Sequence, residues 1–275
     1  MTTNDITTTE RLVRRDRTIT LAGLIALTLL AWAYVATGAG TGMSTIAMTT
    51  WRFPPPDAAG MATAWSPAYW AIMLAMWWVM MIAMMTPSAA PMILLYARVA
   101  RHAQMRGQAP ASTLPTFVFA LGYLAAWLGF SVLATAAQWG LEKAGLVHAM
   151  LMWSTNTALT ALLLIAAGLF QFTPVKAACL AHCRAPAAWL ARRWRPGRAG
   201  AFTMGAAHGA YCLGCCWALM ALLFAGGIMN LVWIAGLAVI VLVEKLAPWG
   251  ERFGFALGIL MASAGLWLLA GHGLF

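Results

Sequence analysis

Charged side chains are scarce in this chain. Only 9% of its 275 residues are Asp, Glu, Lys or Arg, whereas 63% are hydrophobic. A soluble domain of this size cannot bury so much apolar surface, so the composition excludes a soluble protein and predicts an integral membrane protein. The apolar runs are continuous and lack the two-residue alternation of an outer-membrane barrel. Helices must then satisfy the hydrogen-bonding groups of the backbone inside the bilayer. We therefore expect an all-α, polytopic membrane protein.

Acidic side chains are the scarcest of the charged groups. Seven Asp and Glu residues stand against 17 Lys and Arg residues, which gives a formal net charge of +10. The basic residues are not interleaved with aromatic ones as in a nucleic-acid-binding module, so we expect no nucleic-acid partner. In a membrane protein such an excess is typical of the positive-inside rule and of contact with anionic lipid at the cytoplasmic face.

Motifs of several protein classes are also missing. No nucleotide fingerprint is present, so transport driven directly by ATP would need a partner. The chain has no nucleophile elbow, no paired-carboxylate site and no His-Glu-x-x-His zinc motif. Its five cysteines are an odd count, which argues against a complete disulfide framework. These absences predict a protein that is not an enzyme.

Seven apolar segments approach the roughly 20 residues that a membrane-spanning helix needs. They lie at residues 18–37, 68–90, 116–138, 151–172, 202–225, 228–247 and 253–274. Residues 1–17 form a basic tail, and residues 18–275 form a single transmembrane domain. The first segment resembles a signal peptide but is longer than such an apolar region, which predicts a retained helix. The second could continue toward Arg98, with a kink at Pro87 and Pro91.

The basic residues orient the predicted spans. With the N-terminus in the cytoplasm, 15 of the 17 Lys and Arg residues lie in cytoplasmic segments, and only Arg52 and Lys143 lie outside. This asymmetry predicts a cytoplasmic N-terminus and an extracytoplasmic C-terminus. Residues 38–67 then form an extracytoplasmic loop, and residues 173–200 form a cytoplasmic one.

The second predicted span is rich in methionine, with six methionines in the thirteen positions from Met73 to Met85. At about 100° per residue, four of them fall on one stripe of a helix and two lie beside it. The candidate metal ligands in this span are Met76, Met80, Met81, Met84 and Met85. Thioethers are soft ligands suited to Cu(I). Methionine is also a common flexible packing residue, so the stripe by itself is compatible with an ordinary core.

A second soft cluster lies in the fifth predicted span. On a helical wheel His208, Cys212, Cys215 and Cys216 fall within about 60° of one line, so one imidazole and three thiols point in nearly one direction. Thiolates select Cu(I) over hard cations, which predicts a metal site. Free cysteine is also a small buried hydrophobe, and the nearby glycines are typical of close helix packing, so a structural role is the alternative.

A third group of soft side chains follows the fourth span. If this segment is helical, Cys179 and Cys183 share a face and His182 lies beside it. The spacing is not that of a zinc ribbon, and no thioredoxin-like context surrounds it, so a soluble redox domain is not expected. Nearby Lys176 and Arg184 favour thiolates. These cysteines either exchange metal at the cytoplasmic face or are reduced thiols of an interfacial helix.

Several polar residues lie inside the apolar segments. We expect Lys245 to extend to the inner interface, where Glu244 pairs with a basic residue; proton coupling by Glu244 is the alternative. Asn230 is predicted to be a turn or cap residue. Asn156 and Gln171 are predicted to donate hydrogen bonds between helices.

At these motifs the chain resembles the bacterial family of predicted metal-binding integral membrane proteins, some of whose members are named as membrane copper chaperones for polyphenol oxidase. The matching pieces are Met76–Pro87, Lys176-x-x-Cys179-Leu180-x-x-Cys183-Arg184-x-Pro186, Gly209-x-x-Cys212-x-Gly214-Cys215-Cys216-Trp217-x-Leu219-Met220, Gly227-x-Met229-Asn230 and Glu244-Lys245. They cover roughly residues 70–247. The resemblance implies a multi-pass protein of the bacterial inner membrane that binds metal.

We therefore expect the protein to bind copper, as Cu(I), through thioethers and thiolates. It would deliver copper to a cuproenzyme or a periplasmic copper carrier, or move it across the membrane. Two alternatives stay open. In a membrane redox enzyme the same thiols would cycle between dithiol and disulfide, and in a structural or assembly subunit Met and Cys would only pack.

Overall fold

A computed structural model describes residues 3–55, 64–106 and 113–272, with side chains from Arg17 to Gly271. In this part the chain forms ten helices and no β-strand. The helices are α1 (Thr3–Ala36), α2 (Pro67–Met105), α3 (Leu114–Lys143), α4 (Thr157–Phe170), α5 (Pro174–Arg184), α6 (Pro186–Arg193), α7 (Gly197–Ala221), α8 (Leu223–Gly226), α9 (Leu231–Leu246) and α10 (Gly250–His272). The all-helical prediction is confirmed.

Five helical segments of the described chain are long and apolar enough to cross a membrane: α1 from Arg17, α2, α3, α7 continued by α8, and α10. The other two predicted spans are shorter. Helix α4 has 14 residues and α9 has 16, or about 21 and 24 Å at 1.5 Å per residue against a hydrocarbon core of about 30 Å. Helices α4 and α5 are bent by 65° at their break and together would make a sixth span. A count of seven spans stays a prediction.

Helix α2 runs through both of its prolines. It begins at Pro67, where the side chain of Ser66 caps it by accepting a hydrogen bond from the Tyr69 amide, and it continues to Met105. The expected continuation beyond Pro87 and Pro91 is therefore observed. Proline cannot donate the interior hydrogen bond of a helix, so this continuity depends on packing with neighbouring helices.

The closest packing in the core is between α3 and α7. A Cβ atom added to Gly205 would overlap the carbonyl oxygen of Phe119, and one added to Gly122 would overlap the carbonyl oxygen of Phe202. The absence of side chains at these two glycines lets the backbones touch, as expected for small residues at helix interfaces in membranes. Helix α2 packs against α1 and α3, α5 packs on α7, and α9 packs mainly on α2.

Polar residues of the shorter helices act mainly as caps. The side chain of Asn230 accepts hydrogen bonds from the amides of Val232 and Trp233 at the start of α9, as predicted. The prediction for Asn156 was wrong, because its side chain caps α4 by accepting from the Leu159 amide. A cap satisfies amides that have no partner within the first turn of a helix.

Candidate metal centre

All six methionines of the Met-rich segment are buried in the core. Five of them are fully buried, and Met84 is 2% exposed; the five are Met73, Met76, Met80, Met81 and Met85. Met81 and Met85, which lie beside the predicted stripe, are thus as buried as the stripe itself. The reason is that α2 packs against α1, α3 and α9. Every thioether of this segment is shielded from the surface.

Helix α7 carries three of the five cysteines into the same core. Cys212, Cys215 and Cys216 are each 2% exposed or less, as expected for residues that share one helical face. The thiols of Cys215 and Cys216 donate to the Cys212 carbonyl oxygen at 3.0 and 2.9 Å. These bonds to the preceding turn position both sulfur atoms.

One contact joins the methionine segment of α2 to the thiols of α7. The Sγ atom of Cys216 lies 3.9 Å from the Sδ atom of Met85. The Tyr123 hydroxyl lies 3.2 Å from Cys212 Sγ and donates to the Met85 carbonyl oxygen at 3.2 Å. Helices α2, α3 and α7 therefore meet at a group of sulfur atoms and one hydroxyl.

Helix α5 brings the remaining cysteines to this group. The side chain of Cys183 lies close enough to that of Cys215 for the two thiols to interact electrostatically. Cys179 lies over Gly214, where an added Cβ atom would come within 2.7 Å of its Sγ atom. The two cysteine clusters that the sequence separates by about thirty positions are thus one group. We call Cys179, Cys183, Cys212, Cys215 and Cys216 the thiol cluster.

The thiol cluster lies beside a buried lysine. Lys245 Nζ is 2.9 Å from Cys212 Sγ and 3.3 Å from Ser88 Oγ. The expectation that Lys245 extends to the inner interface was wrong, because its side chain points into the core and is 5% exposed. Helix α9 packs on α2, and this places the end of α9 over the sulfur atoms rather than at the surface.

A second buried lysine completes the polar part of the core. Both carboxylate oxygens of Glu244 lie 2.8 Å from Lys176 Nζ, and Gln171 accepts another hydrogen bond from that ammonium. Glu244 pairs with a basic residue, as predicted, but does so in the core and not at the interface. Gln171 accepts a hydrogen bond from α5 where a donor was predicted. Arg184 Nη1 donates to the Glu244 carbonyl oxygen at 2.7 Å.

The residues that carry this geometry match a family model. The model described as PpoB2, copper chaperone, matches residues 74–268, which is more than half of the chain. The chain belongs to this copper chaperone family. The matched range runs from the Met-rich segment to α10 and contains the whole thiol cluster with both buried lysines. No curated protein and no solved structure matches the chain.

Membership of the copper chaperone family confirms the predicted family and gives the chain a copper-related function. A chaperone handles a metal for another protein, which agrees with the prediction that the chain is not an enzyme. Copper is then cargo. The sulfur atoms of the core are of the kind that binds Cu(I), since soft thiolates and thioethers suit it better than hard cations.

The arrangement of donors restricts how a copper chaperone of this family could hold its cargo. Within residues 3–55, 64–106 and 113–272, no group of three or more His, Cys, Asp or Glu side chains could hold a metal ion. The sulfur contacts are pairwise, and one pair includes the thioether of Met85. His208 lies among aromatic rings, with ring centroids 5.9 Å from Tyr123 and 6.0 Å from Trp189.

Proposed function

We propose that the protein is a multi-pass protein of the bacterial inner membrane that binds Cu(I) through sulfur ligands and passes it to a cuproenzyme or a periplasmic copper carrier. The observation that supports this most is the contact between Met85 Sδ and Cys216 Sγ. It connects six buried thioethers to a thiol cluster inside the range matched by the copper chaperone family.

The two kinds of sulfur suit two steps of a transfer. Thioethers are neutral, so Met76, Met80, Met81 and Met84 would hold Cu(I) weakly and let it move along α2. Thiolates carry charge and would hold it more tightly, with two of Cys212, Cys215 and Cys216 forming the tighter site and His208 beside it. Cys179 and Cys183 would exchange copper at the cytoplasmic end.

Burial also favours Cu(I) as the cargo. A buried charge is costly unless it is paired. Cu(I) brings one positive charge, and the Lys245 ammonium beside Cys212 brings a second. Two thiolates would then be neutralised in full, whereas a divalent ion would leave an excess positive charge in the core.

The test is a competition titration of the purified protein with a Cu(I) chelator under reducing conditions. We expect about one tightly bound Cu(I) per chain, because the thiolates form one cluster. Replacing Cys212, Cys215 and Cys216 together by Ser should abolish tight binding. The control variant replaces Met105 and Met150 by Leu. These two methionines are exposed and lie outside the core. Wild-type stoichiometry and affinity in the triple Ser variant would show that the metal site lies elsewhere.

A second candidate function is thiol redox chemistry, which the Cys183–Cys215 contact favours because two thiols on different helices face each other. Oxidation to a disulfide would release two electrons and two protons to an electron acceptor. Titration of free thiols in the metal-free protein, before and after a mild oxidant, distinguishes the two. A loss of two thiols that the substitution Cys183→Ser prevents, together with no Cu(I) binding, would favour the redox function.

A further inference from the structure

A groove of about 550 Å³ lies between α1 and α2, away from the thiol cluster. Three arginines and four apolar residues line it. They are Arg17, Arg98, Arg101, Pro91, Leu94, Leu95 and Ala97. No acidic side chain that the structure describes is among these lining residues. The groove therefore combines arginine side chains with an apolar wall.

The arginines and the apolar residues occupy different levels of the groove. Arg17 is the first residue of the apolar stretch of α1, and Arg98 lies seven residues beyond Pro91 on α2. Seven residues of helix span about 10 Å, so the basic groups stand at one end and the apolar wall extends from them. A ligand that fills this groove has an anionic head and an apolar body.

The surface next to the groove continues the apolar wall. Leu21 and Ile25, one and two turns after Arg17 on α1, are 38% and 50% exposed. Arg17 and Arg98 are themselves exposed, so their guanidinium groups are accessible. Guanidinium binds phosphate oxygens in a bidentate manner, and basic pockets between transmembrane helices are known to hold lipid head groups. A free phosphate ion would use the arginines but would leave the apolar wall uncovered.

We infer that this groove binds an anionic phospholipid, with the phosphate between Arg17 and Arg98 and the first acyl methylenes on Leu94 and Leu95. The inference rests on the membrane location in the proposed function but not on copper binding. It assigns a specific lipid site to the end of the bundle that the positive-inside rule places in the cytoplasm.

Native mass spectrometry of the protein released from bilayer discs of phosphatidylglycerol and phosphatidylcholine tests the site. The double variant Arg17→Gln, Arg98→Gln keeps polar side chains at both positions but removes both charges. The matched control is Arg192→Gln, Arg195→Gln, which removes two exposed arginines outside the groove. Each arginine near a membrane surface favours anionic lipid roughly fivefold, so we expect the groove variant to retain about 25-fold less phosphatidylglycerol than wild type. The control should retain it.

Equal retention by the groove variant and wild type, or an equal loss in the control, would overturn the site. Displacement of the retained lipid by millimolar inorganic phosphate would also overturn it, because the site would then recognise the anion only. Cu(I) titration of the same samples separates this inference from the proposed function. A wild-type protein that retains phosphatidylglycerol in the groove but binds no Cu(I) would refute copper handling and leave the lipid site standing.

Discussion

The ammonium of Lys245 lies 2.9 Å from the sulfur atom of Cys212, and both side chains are buried. Cysteine binds metals as the thiolate, so metal binding at Cys212 would leave a negatively charged sulfur atom in the core. Lys245 is placed to neutralise it. This pair links the end of α9 to the centre of α7 and places a lysine beside the thiol cluster.

We predict that Lys245→Leu weakens Cu(I) binding. Leucine is apolar and cannot ligate copper, and it leaves a bound thiolate pair with one uncompensated charge. Losing one partner of a buried charge pair costs about 3–5 kcal/mol, so the Cu(I) affinity should fall by about 100-fold or more. Competition with a Cu(I) chelator measures this loss of affinity. The control is Arg252→Leu, which removes an exposed cation from the start of α10. Wild-type affinity in Lys245→Leu would remove this lysine from the site.

The ion pair of Lys176 and Glu244 gives a second prediction, which concerns stability. Glu244→Ala leaves the Lys176 ammonium buried without its carboxylate, at a cost of about 3–5 kcal/mol. The detergent-solubilised variant should therefore unfold at a lower temperature. Glu251→Ala is the matched control, because Glu251 is 73% exposed and lies 3.9 Å from Arg184 Nε. Exposed ion pairs contribute about 0–1 kcal/mol, so this variant should unfold like wild type.

The double variant Lys176→Ala, Glu244→Ala separates charge from packing. With both charges removed, no ammonium is left unpaired, and the double variant should be more stable than Glu244→Ala alone. If the double variant loses, relative to wild type, the sum of the stabilities that Lys176→Ala and Glu244→Ala each lose, the two residues do not act as a pair.

The methionine segment yields a third prediction. Met80→Leu combined with Met84→Leu should leave folding intact, because such near-isosteric changes usually cost under about 1.5 kcal/mol. Leucine cannot ligate metal, so copper-dependent activity of a cuproenzyme partner should fall. Met105→Leu with Met150→Leu changes two exposed methionines and should have no effect. Full partner activity in the Met80, Met84 variant would show that these thioethers only pack.

Helical periodicity explains why much of the core could be predicted from the sequence. It places Met80 and Met84 one turn apart, and Cys212 and Cys216 likewise, so each pair shares a face whatever the neighbouring helices do. The burial of these methionines and cysteines was predictable because both segments contain almost no charged side chains. Family membership was predictable for a different reason, because the chain carries motifs that resemble those of the family.

The position of α5 and the direction of Lys245 could not be predicted in this way. The chain bends by 65° after α4, and this bend brings Cys183 to Cys215. A local signal for a new helix exists, because Thr173 caps α5 and Pro174 is its first residue. Its direction depends on packing against α7. A lysine at a helix end usually extends to water, whereas Lys245 turns inward to contact Ser88 of α2 and Cys212 of α7.

The last prediction concerns orientation in the membrane. Two of the basic residues behind the positive-inside argument, Lys176 and Lys245, are buried in the core, so the orientation depends on the exposed ones. Arg195 is exposed on the side predicted to be cytoplasmic, and Trp51 is 85% exposed on the opposite side. Both positions therefore accept a cysteine that a maleimide can reach.

In intact cells a membrane-impermeant maleimide should label Trp51→Cys and not Arg195→Cys. After permeabilisation it should label both. Labelling of the wild-type chain measures the background from its own cysteines. Three of the five are buried and the other two are partly covered. Arginines remain on the cytoplasmic side during insertion, so the cluster around Arg195 should hold this end of the bundle inside. The reverse labelling pattern would invert the topology. It would also place Cys179 and Cys183 at the periplasmic end, so that copper exchange there would face a periplasmic carrier.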